Sequence, residues 1–377
     1  MTVAATLTLY VARRFAGACL AMLAGLTLLV ALFDFIELLR RAATRPDAGF
    51  ALVAQIAGLR LPFVAMQILP FAILLGGLLA FWRLSRSSEL VVARAAGVSA
   101  WGFLSGPVAV ALAVGLLGTF GISPLSSTML ARAERLDHAY LRNTSGLTAL
   151  AGGRLWLRQA DRGLEPGGQA ILSGRPVSGR RGAAATPAAG FAMTDVSLWR
   201  LSANDRPLAR VEAPRARLLP GQWVLEDAVS FNADRSAGPR QAVIFPTELT
   251  PDRIENSFAS PDTLSFWALP GFVEVLEAAG FSAVRHRLHF QSLLSLPVLA
   301  SAMALLSAGF SMRSSRRGGV ARMLSAGVAA GFALFVLDRI TGEFGEAGTL
   351  PVALAAWAPT VAGLLLALAL LLHLEDG

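Results

Sequence analysis

The 377-residue chain contains no lysine, so every one of its 33 basic side chains is an arginine. A Walker A loop needs a lysine to reach nucleotide phosphates, so no such loop can be present. There is a single cysteine, Cys19, inside the first apolar run, which excludes an intrachain disulfide framework and reads as a small packed residue. Histidines number four; His286 and His289 stand three apart, but no third ligand at metal-binding spacing accompanies them. No nucleophile-elbow sequence occurs either. Nothing in this inventory assembles a hydrolytic or metal-dependent catalytic constellation, and the expectation is a chain that is not an enzyme.

Charge is scarce as well. Charged residues make up 15% of the chain and hydrophobic residues 54%, with a mean hydropathy of +0.57; a soluble domain carries about 25% charge. The shortage is uneven, with long uncharged stretches on either side of a charged middle, as membrane spans around a soluble insert would give. Six runs are long enough to span, at 15–35, 61–81, 101–122, 290–310, 323–340 and 350–372. The first follows Arg13 and Arg14 but is longer than the about 7–15 residues of a signal-peptide core, so it reads as a retained span.

The net charge of +8 sits largely beside these runs, which points to membrane orientation and lipid headgroups and not to nucleic acid. With a cytoplasmic N-terminus, the inner segments carry Arg13, Arg14, Arg83, Arg86, Arg94, Arg313, Arg316, Arg317 and Arg322, against Arg40, Arg41, Arg45, Arg60 and Arg339 on the other side. That bias places both termini in the cytoplasm and the middle outside. The middle begins with a helical stretch at 130–141. It then alternates polar and apolar residues at 154–158, with further strand-like stretches at 169–172, 191–199, 209–219, 223–231 and 242–249. Evenly spaced short strands imply an antiparallel all-β, jellyroll-like domain. The Arg-, Ala- and Gly-rich stretch 179–189 reads as a loop, and 265–278 as a second soluble helix. The fold class expected is thus an α-helical integral membrane protein with six spanning helices and an inserted all-β periplasmic domain. Its parts would be residues 1–123 with a connector helix at 85–97, then 124–287, then 288–377.

Three motifs carry charge where it needs an account. In the 85–97 connector, Ser87 or Ser88 can cap a helix that holds Glu89 in its first turn and ends at Gly97; this is either an ordinary interfacial connector or a docking element. At the outer end of the first span, Asp34, Glu37, Arg40 and Arg41 cluster, with 37 and 41 on one face. The two arginines run against the orientation bias, so they either snorkel to headgroups or meet an anionic ligand. Late in the fifth span, Asp338 and Arg339 read as a pair inside the helix bundle.

Four segments resemble the LptF/LptG family of permease subunits that extract lipopolysaccharide from the bacterial inner membrane, and resemble its LptG branch most. They are Phe33-Asp34-Phe35-Ile36-Glu37-Leu38-Leu39-Arg40-Arg41; Ser88-Glu89-Leu90-Val91-Val92 through Arg94-Ala95-Ala96-Gly97-Val98-Ser99; Phe335-Val336-Leu337-Asp338; and Leu350-Pro351 with Ala355-Ala356-Trp357-Ala358-Pro359. The resemblance implies a partner LptF-like permease subunit and a cytoplasmic LptB-like ATPase dimer, which would hold the ATP and Mg that this chain does not. It also implies LptC-like and LptA-like jellyroll proteins as a periplasmic bridge, and lipopolysaccharide as cargo. Arg86, Glu89 and Arg94 would couple to the ATPase, and Arg40 and Arg41 would meet lipopolysaccharide phosphates. Where the LptG branch has a further basic residue, this chain has Asp34. A bare carboxylate there would repel phosphate, so Asp34 is expected to pair with a basic residue of the partner subunit or to be kept neutral. The alternative function is a membrane scaffold for envelope-assembly proteins that carries no lipid. An uncovered apolar groove in the β domain would favour a cargo path, and a closed packed core the scaffold.

Overall fold

A backbone crossing hydrocarbon must satisfy its own polar groups, which an apolar run of this length does by becoming a helix. The computed structural model describes residues 2–45, 49–87, 89, 100–141, 148–151, 154–161, 168–177, 191–202, 206–232, 236–247, 249–250, 254, 260–278, 281–313 and 320–375. Six helical rods in it are long and apolar enough to cross a membrane. They are built from α1 (Thr2–Ala42), α2 (Phe50–Arg86), α3 (Ala100–Leu116) running on into α4 (Ser123–Leu136), α6 (Val284–Arg313), α7 (Val320–Glu346) and α8 (Val352–Glu375). A shorter helix, α5 (Leu269–Ala278), precedes α6. The expected loop at 179–189 and most of the connector, Arg94 included, lie outside the described residues.

The chain divides into two units. The helical unit comprises residues 1–142, 261–270 and 284–377, and the other comprises 143–260 and 271–283.

Within the helical unit, prolines decide where neighbours are tied together. Pro124 has no N–H for the Phe120 carbonyl four residues back, and α3 passes into α4 through a widened turn at Leu117–Ile122. The Trp267 indole N–H donates to that Phe120 carbonyl at 3.3 Å. Pro297 in α6 likewise leaves the Leu293 carbonyl without its helical donor, and the buried Thr119 hydroxyl donates to it at 2.8 Å. Side chains from neighbouring segments thus repair the ladder that proline breaks, the usual route by which proline is tolerated in a span.

Glycines set the closest approaches. A Cβ on Gly77 of α2 would stand 2.2 Å from Ser307 Oγ of α6 and 2.9 Å from Phe15 of α1. One on Gly76 would stand 2.6 Å from the Cys19 Cα, which is why Cys19 is a packed residue. Around these crossings Phe15, Leu74, Leu78, Phe81, Phe103 and Leu306 form the apolar core.

The second unit is one antiparallel sheet of seven strands in chain order: β1 (Thr148–Ala151), β2 (Arg154–Asp161), β3 (Gly168–Pro176), β4 (Ala192–Leu201), β5 (Pro207–Leu219), β6 (Gln222–Asn232) and β7 (Gln241–Pro246). The sequence marks β2 to β7 and misses β1. Pro220-Gly221 makes the β5–β6 turn, with Gly221 at φ +81°. A flat sheet would hold β2 and β7 about 24 Å apart, five spacings of about 4.8 Å. Instead Gln159 of β2 donates to the Pro246 carbonyl of β7 at 3.2 Å, so the sheet is rolled and jellyroll-like.

A crease across three strands produces the roll. The buried positions change phase from Met193 to Val196, from Ala213 to Ala216 and from Leu225 to Ala228. Asp195 and Asp227 lie in these steps at φ +53° and +51°, a region Asp tolerates, and Pro214 lies in the third. Trp223, fully buried, anchors the enclosed core with Leu155, Leu172, Leu198 and Phe245.

A Gly77→Val substitution forces a side chain into the crossing of α1, α2 and α6. It should destabilise the detergent-solubilised protein by about 1–3 kcal/mol, the usual cost of overpacking. Gly58→Ala, where a Cβ would meet nothing within 4 Å, should be neutral or stabilising. Thermal unfolding of the two variants side by side measures this, and equal midpoints would show that the crossing is not tight.

Candidate functional site

The helices differ sharply in how much the chain itself covers them. Only 6% of the most apolar window of α1 is buried, and 22% of that of α7, against 72% for α6. Both bare helices pack on α2: Gly76 receives Cys19 of α1, and Leu74 receives Gly331 of α7. Leu29, Phe33 and Ile36 are exposed on α1, and Phe332, Phe335 and Phe344 on α7. These are large apolar faces that the chain itself leaves uncovered, open to lipid or to a second molecule.

Where α1 ends, charge collects in two groups. In the first, Glu37 accepts from Arg40 Nε (2.8 Å) and Arg40 Nη2 (2.9 Å), a bidentate pair, and from Arg41 Nε (2.9 Å). Spacings of three and four residues place all three side chains on one helical face. The structure therefore brings the two predicted arginines together through Glu37. Both Nη groups of Arg41 stay without a protein partner among the described residues, and the Arg40 side chain is 77% exposed.

The second group corrects an expectation. Asp34 finds its cation inside this chain: Arg60 of α2 donates from Nη1 to Asp34 Oδ1 at 3.0 Å, with Nη2 3.7 Å from Asp137 Oδ2 just past α4. Asp137 is 2% exposed, so Arg60 compensates a carboxylate that would otherwise be costly to bury. This bridge joins α1, α2 and the end of α4. Sequence reading placed Arg60 among the outer arginines without its partners. The signal was available: antiparallel helices joined by a short loop place residues at similar distances from it side by side, and Asp34 lies eight residues before the end of α1 while Arg60 lies ten after the start of α2.

A second correction concerns Asp338 and Arg339. They are exposed on α7 and make no ion pair with each other among the described residues. They follow one another in sequence, so a helix turns them about 100° apart, away from a shared contact.

At the opposite end of α1 and α2, Ser87 caps the C-terminus of α2. Its hydroxyl lies within hydrogen-bonding reach of the Arg83 and Leu84 carbonyls and of Glu89 Oε1 (2.9 Å). The Arg86 guanidinium lies over the Trp82 ring at 5.7 Å, facing back along α2. Arg86 and Glu89 are thus neighbours without being a pair, and Arg94 falls outside the described residues.

Among the described residues, the rolled sheet does not present the uncovered apolar groove that a cargo path was expected to show. Its inward side chains bury one another, with Leu155, Ala170, Met193, Ala216, Trp223 and Leu225 all at 0% exposure. Its exposed aromatics are on the outer face, where Trp156 stacks on Trp199 at 5.7 Å.

The profile of the family described as lipopolysaccharide export system permease LptF/LptG matches residues 9–373. The lipopolysaccharide export system permease protein LptG of Escherichia coli K12 is 24% identical over 310 residues, covering 81% of this chain and 81% of that protein. LptG of Haemophilus influenzae is 23% identical over 366 residues, covering 94% of this chain and 95% of its own length. Since the family profile runs from α1 through the rolled sheet to α8, the chain belongs to the LptF/LptG family of lipopolysaccharide export permeases.

Proposed function

We propose that the chain is the LptG-type half of an ATP-driven exporter that draws lipopolysaccharide out of the bacterial inner membrane and passes it to a periplasmic bridge. The observation that carries this is the pair of bare apolar helices α1 and α7 on either side of α2. One chain supplies half of a cavity, and a related LptF-like permease subunit supplies the other half. As a permease subunit the chain is not itself catalytic; ATP and Mg²⁺ belong to a separate LptB-like ATPase dimer. The arginine distribution puts both termini in the cytoplasm and the rolled sheet in the periplasm, where LptC-like and LptA-like jellyroll proteins would continue the path.

The cavity has a thermodynamic purpose. Each CH₂ taken from hydrocarbon to water costs about 0.8 kcal/mol, so a multiply acylated lipid leaves the bilayer only into another apolar enclosure. The faces of α1 and α7 supply that enclosure, and ATP-driven closure would empty it. Because the core of the rolled sheet is filled, receiving acyl chains requires its inward side chains to part.

At the outer rim, Glu37 pre-orients Arg40 and Arg41, and their remaining guanidinium donors meet lipid phosphate; an arginine fork suits phosphate oxygens bidentately. Asp34 does not repel that phosphate, because Arg60 neutralises it. At the cytoplasmic end, Glu89 makes a charge-assisted contact with a basic residue of the ATPase, flanked by Arg86 and Arg94.

Two outcomes follow in assembled complexes. Replacing Arg40 and Arg41 together by Ala should cut lipopolysaccharide crosslinking and export several-fold, whereas the double Lys variant should lose less. Glu37→Gln, which releases both guanidiniums, should raise crosslinking. Export insensitive to all three would mean that the arginines only reach for headgroups. Separately, Glu89→Ala should lower the amount of ATPase that co-purifies while membrane insertion is unchanged; full co-purification with full coupled transport would reduce this segment to a plain connector.

A further inference from the structure

A second site lies at the cytoplasmic end of α1 and α2, away from the outer rim. A cavity of about 720 Å³ opens there, and its mouth carries Arg13, Arg14 and Arg83 with Tyr10 and Glu89. Among the described residues the Arg13 and Arg83 side chains make no hydrogen bond or ion pair. Arg14 is held by Tyr10, through an Nε–hydroxyl bond of 3.2 Å and a guanidinium 5.3 Å above the ring. Ser87 occupies one oxygen of Glu89. Three cations therefore face a single carboxylate.

Below this mouth the lining turns apolar and small, with Gly17, Ala18 and Ala21 from α1 facing Leu79, Ala80 and Leu84 from α2. Small side chains in a span normally let helices touch, as Gly76 does against Cys19. Gly17 does not serve that purpose: a Cβ there would meet nothing within 4 Å, so the slot is open space. A cationic mouth above an apolar slot fits a molecule with an anionic head and an acyl chain.

We infer that this cavity binds an anionic glycerophospholipid of the cytoplasmic leaflet, its phosphate on Arg13 and Arg83 and one acyl chain along the Gly17–Ala21 slot. Guanidinium–phosphate pairing supplies affinity for the head, and the cytoplasmic leaflet is where anionic lipids meet juxtamembrane arginines. The lipid would wedge α1 against α2 beside Glu89, so its occupancy would set the stance of the ATPase-facing segment. The inference rests on the proposed orientation but not on lipopolysaccharide export.

Native mass spectrometry of the assembled complex in detergent, titrated with phosphatidylglycerol, phosphatidylcholine or inorganic phosphate, tests it, because retention is read without transport and without regard to orientation. The parent should retain phosphatidylglycerol and not phosphatidylcholine. Arg13→Ala with Arg83→Ala should weaken retention roughly thirtyfold, the expected effect of two surface-proximal arginines. Gly17→Leu should abolish retention while leaving assembly intact, because the slot accepts the side chain without a clash. Equal retention of phosphatidylglycerol by parent and both variants overturns the proposal. So does retention of inorganic phosphate that Gly17→Leu leaves unchanged, which would make the site an anion site without a chain. Loss of the ATPase in the double Ala variant with lipid retention unchanged also overturns it, assigning the arginines to a protein contact.

Discussion

The helical unit depends on how closely backbones approach at the crossing of α2 with α1 and α6. Hiding an apolar side chain from lipid gains almost nothing, so helices in a bilayer hold together by packing and by hydrogen bonds between helices. Gly76 and Gly77 let Cys19, Phe15 and Ser307 reach the α2 backbone. The proline-orphaned carbonyls of Phe120 and Leu293 are taken by Trp267 and Thr119. With α2 and α6 committed to this core, α1 and α7 are left half-packed, and that imbalance gives the molecule its open faces.

The charges at the rim divide by the work they can do. Arg60 sits between Asp34 and the buried Asp137 and ties both carboxylates to α2; the group behaves as a fastening between α1, α2 and the end of α4. Glu37 with Arg40 and Arg41 is exposed, carries one more cation than anion, and keeps guanidinium donors unused. Exposed pairs of this kind exchange partners at little cost, which suits a place where a phosphate must be gripped and released. One group therefore holds the geometry and the other remains free to bind.

Much of the fold could be read from residue pattern alone. Apolar runs long enough to span located all six rods, and alternation at 154–158 with further strand-like stretches located β2 to β7, because these signals arise from local geometry. What could not be read depends on distance between elements. The roll of the sheet comes from Asp195, Pro214 and Asp227 falling into line across three strands, and that alignment exists only once the register is set. From sequence Asp34 calls for a cation of a partner subunit or a neutral carboxyl, because its actual cation is twenty-six residues away across a helical hairpin. Asp338 and Arg339 read as a pair inside the bundle because ionisable groups near a bilayer usually face protein, and their exposure on α7 emerges only once the helices are packed. At the site, Arg40, Arg41 and Glu89 stood out by charge in apolar surroundings, whereas the bare faces of α1 and α7 could be recognised only after every other helix was packed.

The central claim is that those bare faces meet cargo and a second permease subunit, and are not merely lipid-facing. A photoreactive amino acid placed at Phe33 on α1, Phe335 on α7 and Leu365 on α8 compares three positions of similar exposure, at 65%, 59% and 62%. In membranes turning over ATP, Phe33 and Phe335 should form covalent adducts with lipopolysaccharide or with a second permease subunit, and Leu365 only with bulk phospholipid. The same phospholipid adducts at all three positions would contradict the account.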